Sequence, residues 1–278
     1  MNPATLERNL RTGKWGIRLS LLATAVVALV LVAILSFIFA HGVGRLSLGF
    51  FLQAPIDLGR EGGILPIIVS TGLLGALALL ISVPLGLATA VYLTEYTQEG
   101  WVTTIIRFGS ECLAGIPSIL FGLFGFMLFV VTLGMGWSIL AGGLTLACMI
   151  LPTIIRTAEE AIKTVPHGLR EVGFSLGATK SQVIRQVVLP QASPGIVSGI
   201  ILAFGRAIGE TAAVIFTTGI SLDMPGSLFD SARSLSVHFY LLAREGISME
   251  MAYTTALVLM LLILGINLAA NAFMARRS

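Results

Sequence analysis

Charge is what this sequence has least of. Only 11% of its 278 residues are Asp, Glu, Lys or Arg, against 56% hydrophobic residues and a mean hydropathy of +0.95. The charge-free runs are too long to hide in the core of a 29.3 kDa globule, which excludes an ordinary soluble domain. Lipid solvates such runs, so the chain reads as an all-α integral membrane protein with one membrane domain.

Other shortages narrow the function. The two cysteines, Cys112 and Cys148, lie in apolar runs without paired spacing and read as small buried hydrophobes rather than a disulfide or metal pair. The three histidines, His41, His167 and His238, stand far apart, and no metal-ligating or nucleophilic constellation surrounds them, which argues against a membrane enzyme. The net charge of +3 forms no dense patch interleaved with aromatics, so nucleic acid is not the expected partner. No Gly-Lys-Ser or Gly-Lys-Thr occurs; GATKS (177–181) puts Thr179 where a phosphate-binding loop needs glycine. If ATP drives this protein, another subunit binds it and its Mg, and no cofactor is expected on this chain.

What is present is a series of spans. A helix needs about 20 apolar residues to cross about 30 Å of hydrocarbon. Ser20–Ala40 is uncharged and too long for a cleavable signal, so it reads as a retained first span after an N-terminal arm, 1–19. Gly62–Thr94 gives the second span. The interval between Glu111 and Arg156 holds two, divided at the glycines of LGMGW (133–137): a third span at 107–133 and a fourth at 137–156. A fifth runs from Pro194 to Gly219 and a sixth from Met251 to about Ala275, closed by Arg276 and Arg277.

Six spans place both termini on one side, and that side carries twelve of the 17 Lys and Arg residues. The positive-inside rule makes it cytoplasmic, together with the polar segment 157–190. The segment 220–250 then faces outward, and its run Val237–Leu242 predicts ordered contacts at an outer gate or with a binding protein rather than a linker.

The polar segment has helical order of its own. Leu169, Val172, Gly173 and Leu176 recur at i, i+3, i+4 and i+7 after Pro166, Gly177 ends the turn, and Thr179 or Ser181 is placed to cap a second helix. An apolar stripe on a surface helix needs a cover, either a partner protein or the inner leaflet. Glu171, Gly177 and Val187-Val188-Leu189-Pro190 together resemble the EAA loop of ABC importer permeases, E-A-A-x3-G-x9-I-x-L-P, departing from it at EVG for EAA and Val187 for Ile.

GIPSILFGLFG (115–125) and GRAIGETAAVIF (205–216) are in turn similar to permeases of phosphate-specific transport systems, and the whole chain resembles the PstA type. That resemblance implies a type I ABC importer permease fold with six transmembrane helices. It also implies a second, PstC-type permease subunit, two copies of a PstB-type ATPase and an extracytoplasmic phosphate-binding protein in a bacterial or archaeal cytoplasmic membrane. The 167–177 helix, with Glu171, Gly177, Leu169, Val172 and Leu176, would couple to the ATPase. Alternatives are a permease for another oxyanion, molybdate or sulfate, or a secondary transporter or channel.

Two intramembrane charges stand out whatever the family. Counted from Pro194, Arg206 lies about 18 Å along the fifth span, and spacing of four sets Glu210 on the same helical face with Gly199, Ala203, Gly209 and Ala213. The pair reads either as self-neutralising packing or as a pathway face, with Arg206 offering a planar fork to phosphate oxygens and Glu210 as its regulating partner. Arg107 and Glu111 are expected to pair at the inner end of the third span. Pro84 and Pro117 are expected to kink their spans.

Overall fold

A computed structural model describes residues 3–275, with side chains from 16 to 272; Arg276 and Arg277 lie outside the described residues. Helix α1 (Pro3–Gly42) runs unbroken through the arm and the first span. Its side chains from Gly16 onward are exposed almost throughout, as a helix apolar on every face is when lipid or another subunit surrounds it. Near its end Gly42 packs on Tyr253 and Leu257 of α12 (Met249–Ala275).

A short helix, α2 (Leu48–Leu52), is capped by Ser47 and followed by a hairpin of two-residue strands, β1 (Pro55–Ile56) and β2 (Glu61–Gly62). The second span is α3 (Leu65–Val91), extended to Tyr96 by a π turn. It lies parallel to α6 (Ile139–Lys163): Gly142 meets Leu74, Gly143 meets Leu77 and Gly86 meets Ile154. Small residues let the backbones approach, the packing that membrane helices use where lipid tails remove the hydrophobic drive.

The third span differs from an unbroken 107–133 helix. It begins at Trp101 as α4 (Trp101–Gly115), turns by 101°, and resumes as α5 (Ser118–Gly125), which a π turn carries to Thr132. Pro117 causes the break. Proline disfavours the helical region for the residue before it, and Ile116 is extended at φ −72°, ψ 130°. The expected turn at 133–137 is present, with Gly134 and Gly136 both at positive φ and Ser138 capping α6.

Past α6, helix α7 (His167–Ser175) precedes α8 (Lys180–Val183), which a π turn joins to α9 (Leu189–Gly209). This rod of 30 residues, Lys180–Gly209, is longer than the expected fifth span and ends ten residues earlier. The chain is extended at Glu210 before α10 (Ala212–Thr217). Helix α11 (Leu235–Arg244) follows, with Leu235, Ser236, Val237, His238 and Leu242 buried. The 220–250 segment is therefore folded against the bundle, with the Leu235 amide donating to Thr71 Oγ1 at 2.9 Å.

Among the described residues five helices are continuous and apolar enough to cross a membrane, and the number is six when the bent pair α4–α5 is counted as one span. One pole carries α7 and the ends of α3 and α6. The opposite pole carries the hairpin, the 133–138 turn and α11.

The two interrupted helices meet at α5 and α10. A Cβ on Gly122 would stand 2.9 Å from the Ala212 carbonyl and 3.0 Å from Ala213 Cα, both backbone atoms that cannot rotate away. Gly122→Leu is thus expected to push α10 off α5 and cost about 1–3 kcal/mol by overpacking, read as a lowered Tm of the purified protein. Gly109→Leu, where an added Cβ meets nothing within 4 Å, should leave Tm unchanged.

Candidate translocation and coupling site

At the α7 pole, local chemistry sets the geometry. Pro166 holds φ −58°, ψ 137° and starts the helix, while Gly177 ends it at φ +80°. The Ala178 amide donates to Gly173 O at 3.2 Å and the Gly177 amide to Phe174 O at 2.9 Å, the two bonds of a Schellman close. Thr179 then starts the rod. Its amide donates to Gln182 Oε1 at 2.8 Å, and the Gln182 amide returns to Thr179 Oγ1.

The expected stripe is largely where the spacing put it. Leu169, Val172 and Leu176 are exposed together with Phe174, and Glu171 is exposed beside them. Gly173 is the exception: it is buried, and an added Cβ would meet Val183 at 2.9 Å. The glycine lets α7 lie against the start of the rod while the larger apolar side chains face away.

Sequence reasoning missed what ties α7 down. The Arg170 Nε and Nη2 donate to Glu95 Oε1 at 3.1 and 2.7 Å, and both side chains are nearly buried, 11% and 10% exposed. The remaining donors close the end of α6: Nη1 reaches Val165 O at 2.7 Å and Nη2 reaches Ile162 O at 3.2 Å. One guanidinium thus ties α7 to the ends of both α3 and α6. The available signal was Glu95 itself, the first charge after 33 uncharged residues.

A second network corrects the expected Arg107–Glu111 pair. Arg107 instead donates from Nε to Glu159 Oε1 at 2.9 Å, Lys163 Nζ reaches the same oxygen at 2.6 Å, and Glu99 lies 3.4 Å from Arg107 Nη1. Glu111 lines a cavity beside this network with Ser110, Arg156 and Glu160.

Along the rod, prolines are accommodated one by one. The π turn Ile184–Val188 directly precedes Pro190, whose ring and missing N–H disrupt a regular α-helical turn. Pro194 leaves the carbonyl four residues earlier without its amide, and Ser193 Oγ donates to that carbonyl, Pro190 O, at 2.8 Å.

Arg206 stands in the last turn of α9, and Glu210 is the first residue past it. The expectation that they share one helical face is therefore corrected: the helix ends at Gly209, and no ion pair joins the two among the described residues. Gly199 and Ala203 are buried, whereas Arg206 is exposed and Glu210 half-buried. A cation suits the final turn because the freed carbonyls carry the negative end of the helix dipole. The Glu210 carbonyl is itself taken up by Ser236 Oγ at 2.5 Å, which joins the break to α11. Measured along the rod, Arg206 lies 26 residues from Lys180, about 39 Å at 1.5 Å per residue.

Residues 82–278 match the sequence profile of a family described as the binding-protein-dependent transport system inner membrane component. The chain belongs to that family. The matched part of the permease includes α7, the rod and Arg206. It is 34% identical over 278 residues to a protein named a probable ABC transporter permease, YqgI, of Bacillus subtilis, covering 94% of this chain and 93% of that one. It is 38% identical over 215 residues to the phosphate transport system permease protein PstA of Mycobacterium leprae, covering 76% and 70%. In fold it is similar to a bacterial ABC transporter involved in alginate import, with a TM-score of 0.69 and 18% identity over 98% of this chain and 99% of that one. The permease thus has the type I ABC importer fold. It is a multi-pass component of an inner-membrane importer, a transport subunit that works with an ATPase and an extracytoplasmic binding protein rather than an enzyme.

Proposed function

We propose that the permease forms, with a second PstC-type permease subunit, the route by which inorganic phosphate crosses the membrane. The observation that carries this reading is the physical continuity of α7, the Schellman turn and a single rod that ends at an exposed guanidinium. Exposed Leu169, Val172, Phe174 and Leu176 supply the surface for one of two copies of a PstB-type ATPase, with Glu171 and Gly177 fixing how it docks. ATP and Mg bind there, because this chain has no phosphate-binding loop. The α7 pole and both termini are cytoplasmic by their basic residues, and the hairpin and α11 pole faces the phosphate-binding protein. Arg206 supplies a planar fork for phosphate oxygens at the far end of the rod. Names of relatives that include phosphate transport favour that anion.

The test is purification from cells through a tag on this chain, followed by uptake in proteoliposomes. An ATPase and a second permease should copurify, and labelled phosphate should enter only with ATP. Uptake of molybdate or sulfate in place of phosphate would overturn the substrate. Transport without an ATPase would overturn the class.

A further inference from the structure

Arg185 is exposed and carries no ion pair among the described residues. It lines a groove of about 310 Å³ between α3 and the start of the rod, far more room than a water needs and within the range of pockets that take organic molecules. Pro84, Leu87, Ala88 and Val91 recur at i, i+3, i+4 and i+7 and form the α3 wall, and Ile184 and Leu189 stand on the rod opposite. The polar groups gather at the α7 pole. Tyr96 ends the α3 wall there, Ser181 and Arg185 begin the rod wall, and Lys180 Nζ lies 5.1 Å from the centre of the Tyr96 ring. No carboxylate is among the described residues that line the groove.

Length and charge together select the occupant. From Tyr96 to Pro84 the α3 wall covers 12 residues, about 18 Å at about 1.5 Å per residue. One leaflet contributes about half of the roughly 30 Å of hydrocarbon, so the apolar part of the groove matches the depth of a single leaflet. Tyrosine marks headgroup level in membrane proteins, and basic pockets between helices take lipid headgroups. A free phosphate ion would satisfy Arg185 and Lys180 but leave the apolar walls behind them uncovered. A neutral alkyl chain would do the reverse.

We propose that this groove holds one anionic phospholipid, its phosphodiester on Arg185 and Lys180 and one acyl chain lying between α3 and the rod. Placement in the inner leaflet rests on the proposed orientation of the α7 pole. The binding does not depend on which solute is transported.

The test is native mass spectrometry of the assembled transporter in detergent, stripped of lipid and titrated with phosphatidylglycerol, phosphatidylcholine or inorganic phosphate. Wild type should hold one more tightly bound phosphatidylglycerol per copy of this chain than Ala88→Trp, in which the indole fills the groove and both cations remain. Leu80→Trp, an exposed position of α3 outside the groove, should hold as many as wild type. Arg185→Gln should weaken this binding about tenfold, and phosphatidylcholine, whose headgroup is neutral overall, should bind at least about tenfold more weakly than phosphatidylglycerol. Should Ala88→Trp not assemble, Arg185→Gln decides, since an exposed side chain without an ion pair is replaced there. Equal retention by wild type, Ala88→Trp and Arg185→Gln overturns the proposal, as does equal binding of the two lipids or displacement of phosphatidylglycerol by inorganic phosphate. A wild type that retains no such lipid, while Ala88→Cys crosslinks to the second permease, gives the groove to a protein partner and overturns it too.

Discussion

Phosphate uptake by Arg206→Gln is expected to fall about 10- to 100-fold with the transporter still assembled. The variant loses charge-assisted hydrogen bonds worth about 1.5–3 kcal/mol, and each 1.4 kcal/mol is about tenfold. Arg206→Lys keeps the cation and loses the planar fork, so its loss should be smaller. The structure sharpens the role of Glu210. Were the two residues a neutralising pair, Arg206→Gln with Glu210→Gln would restore uptake. The helix ends between them and no ion pair forms, so the double variant should stay as inactive as the single one. Near-normal uptake by the double variant, measured with labelled phosphate in proteoliposomes, would remove Arg206 from the pathway.

The second large effect is expected at the other end of the rod. Glu95→Gln leaves Arg170 nearly buried without its carboxylate, and breaking a buried pair from one side costs about 3–5 kcal/mol. That cost falls on the attachment of α7 rather than on the spans, whose small-residue packing lies elsewhere. The ATPase should still copurify, but hydrolysis should no longer respond to loaded binding protein, and uptake should fall at least about tenfold. Combining Glu95→Leu with Arg170→Met removes the unpaired charge and should recover stability. Uptake should recover only partly, because Arg170 also holds the carbonyls of Ile162 and Val165. Full coupling in Glu95→Gln would show that the tie carries no load.

These two ends of the molecule were unequally legible in the sequence. The α7 turn is local: Pro166, Gly177 and Thr179 each act within a few residues, so spacing alone located the helix, its stop and the next start. The spans and the Gly134–Gly136 turn were readable because charge and glycine mark them directly. The breaks were harder. Pro117 signalled a kink but not a turn of 101°, since the angle depends on what α4 and α5 pack against. In GRAIGET the glycine that ends α9, Gly209, looks no different from Gly205 within the helix, and the hydroxyl that takes up the Glu210 carbonyl arrives from Ser236, 26 residues on. Arg170 meets Glu95 across 75 residues and Arg107 meets Glu159 across 52, distances at which helical spacing carries no information. The spacing of four that suggested Arg107 with Glu111 was valid helix geometry, but a better-placed carboxylate on α6 took the arginine.

The unbroken run from Lys180 to Gly209 also sets a scale for the movement that transport requires. With Arg206 about 39 Å from the pivot at Lys180, a tilt of only about 5° sweeps its guanidinium through about 3 Å, the length of one hydrogen bond. If α7 docks on the ATPase and Arg206 meets the anion as proposed, a shift of α7 by a fraction of a helical turn would suffice to bring the fork to an oxyanion or withdraw it. The stroke at the nucleotide end could then be small, because the length of this one span enlarges it.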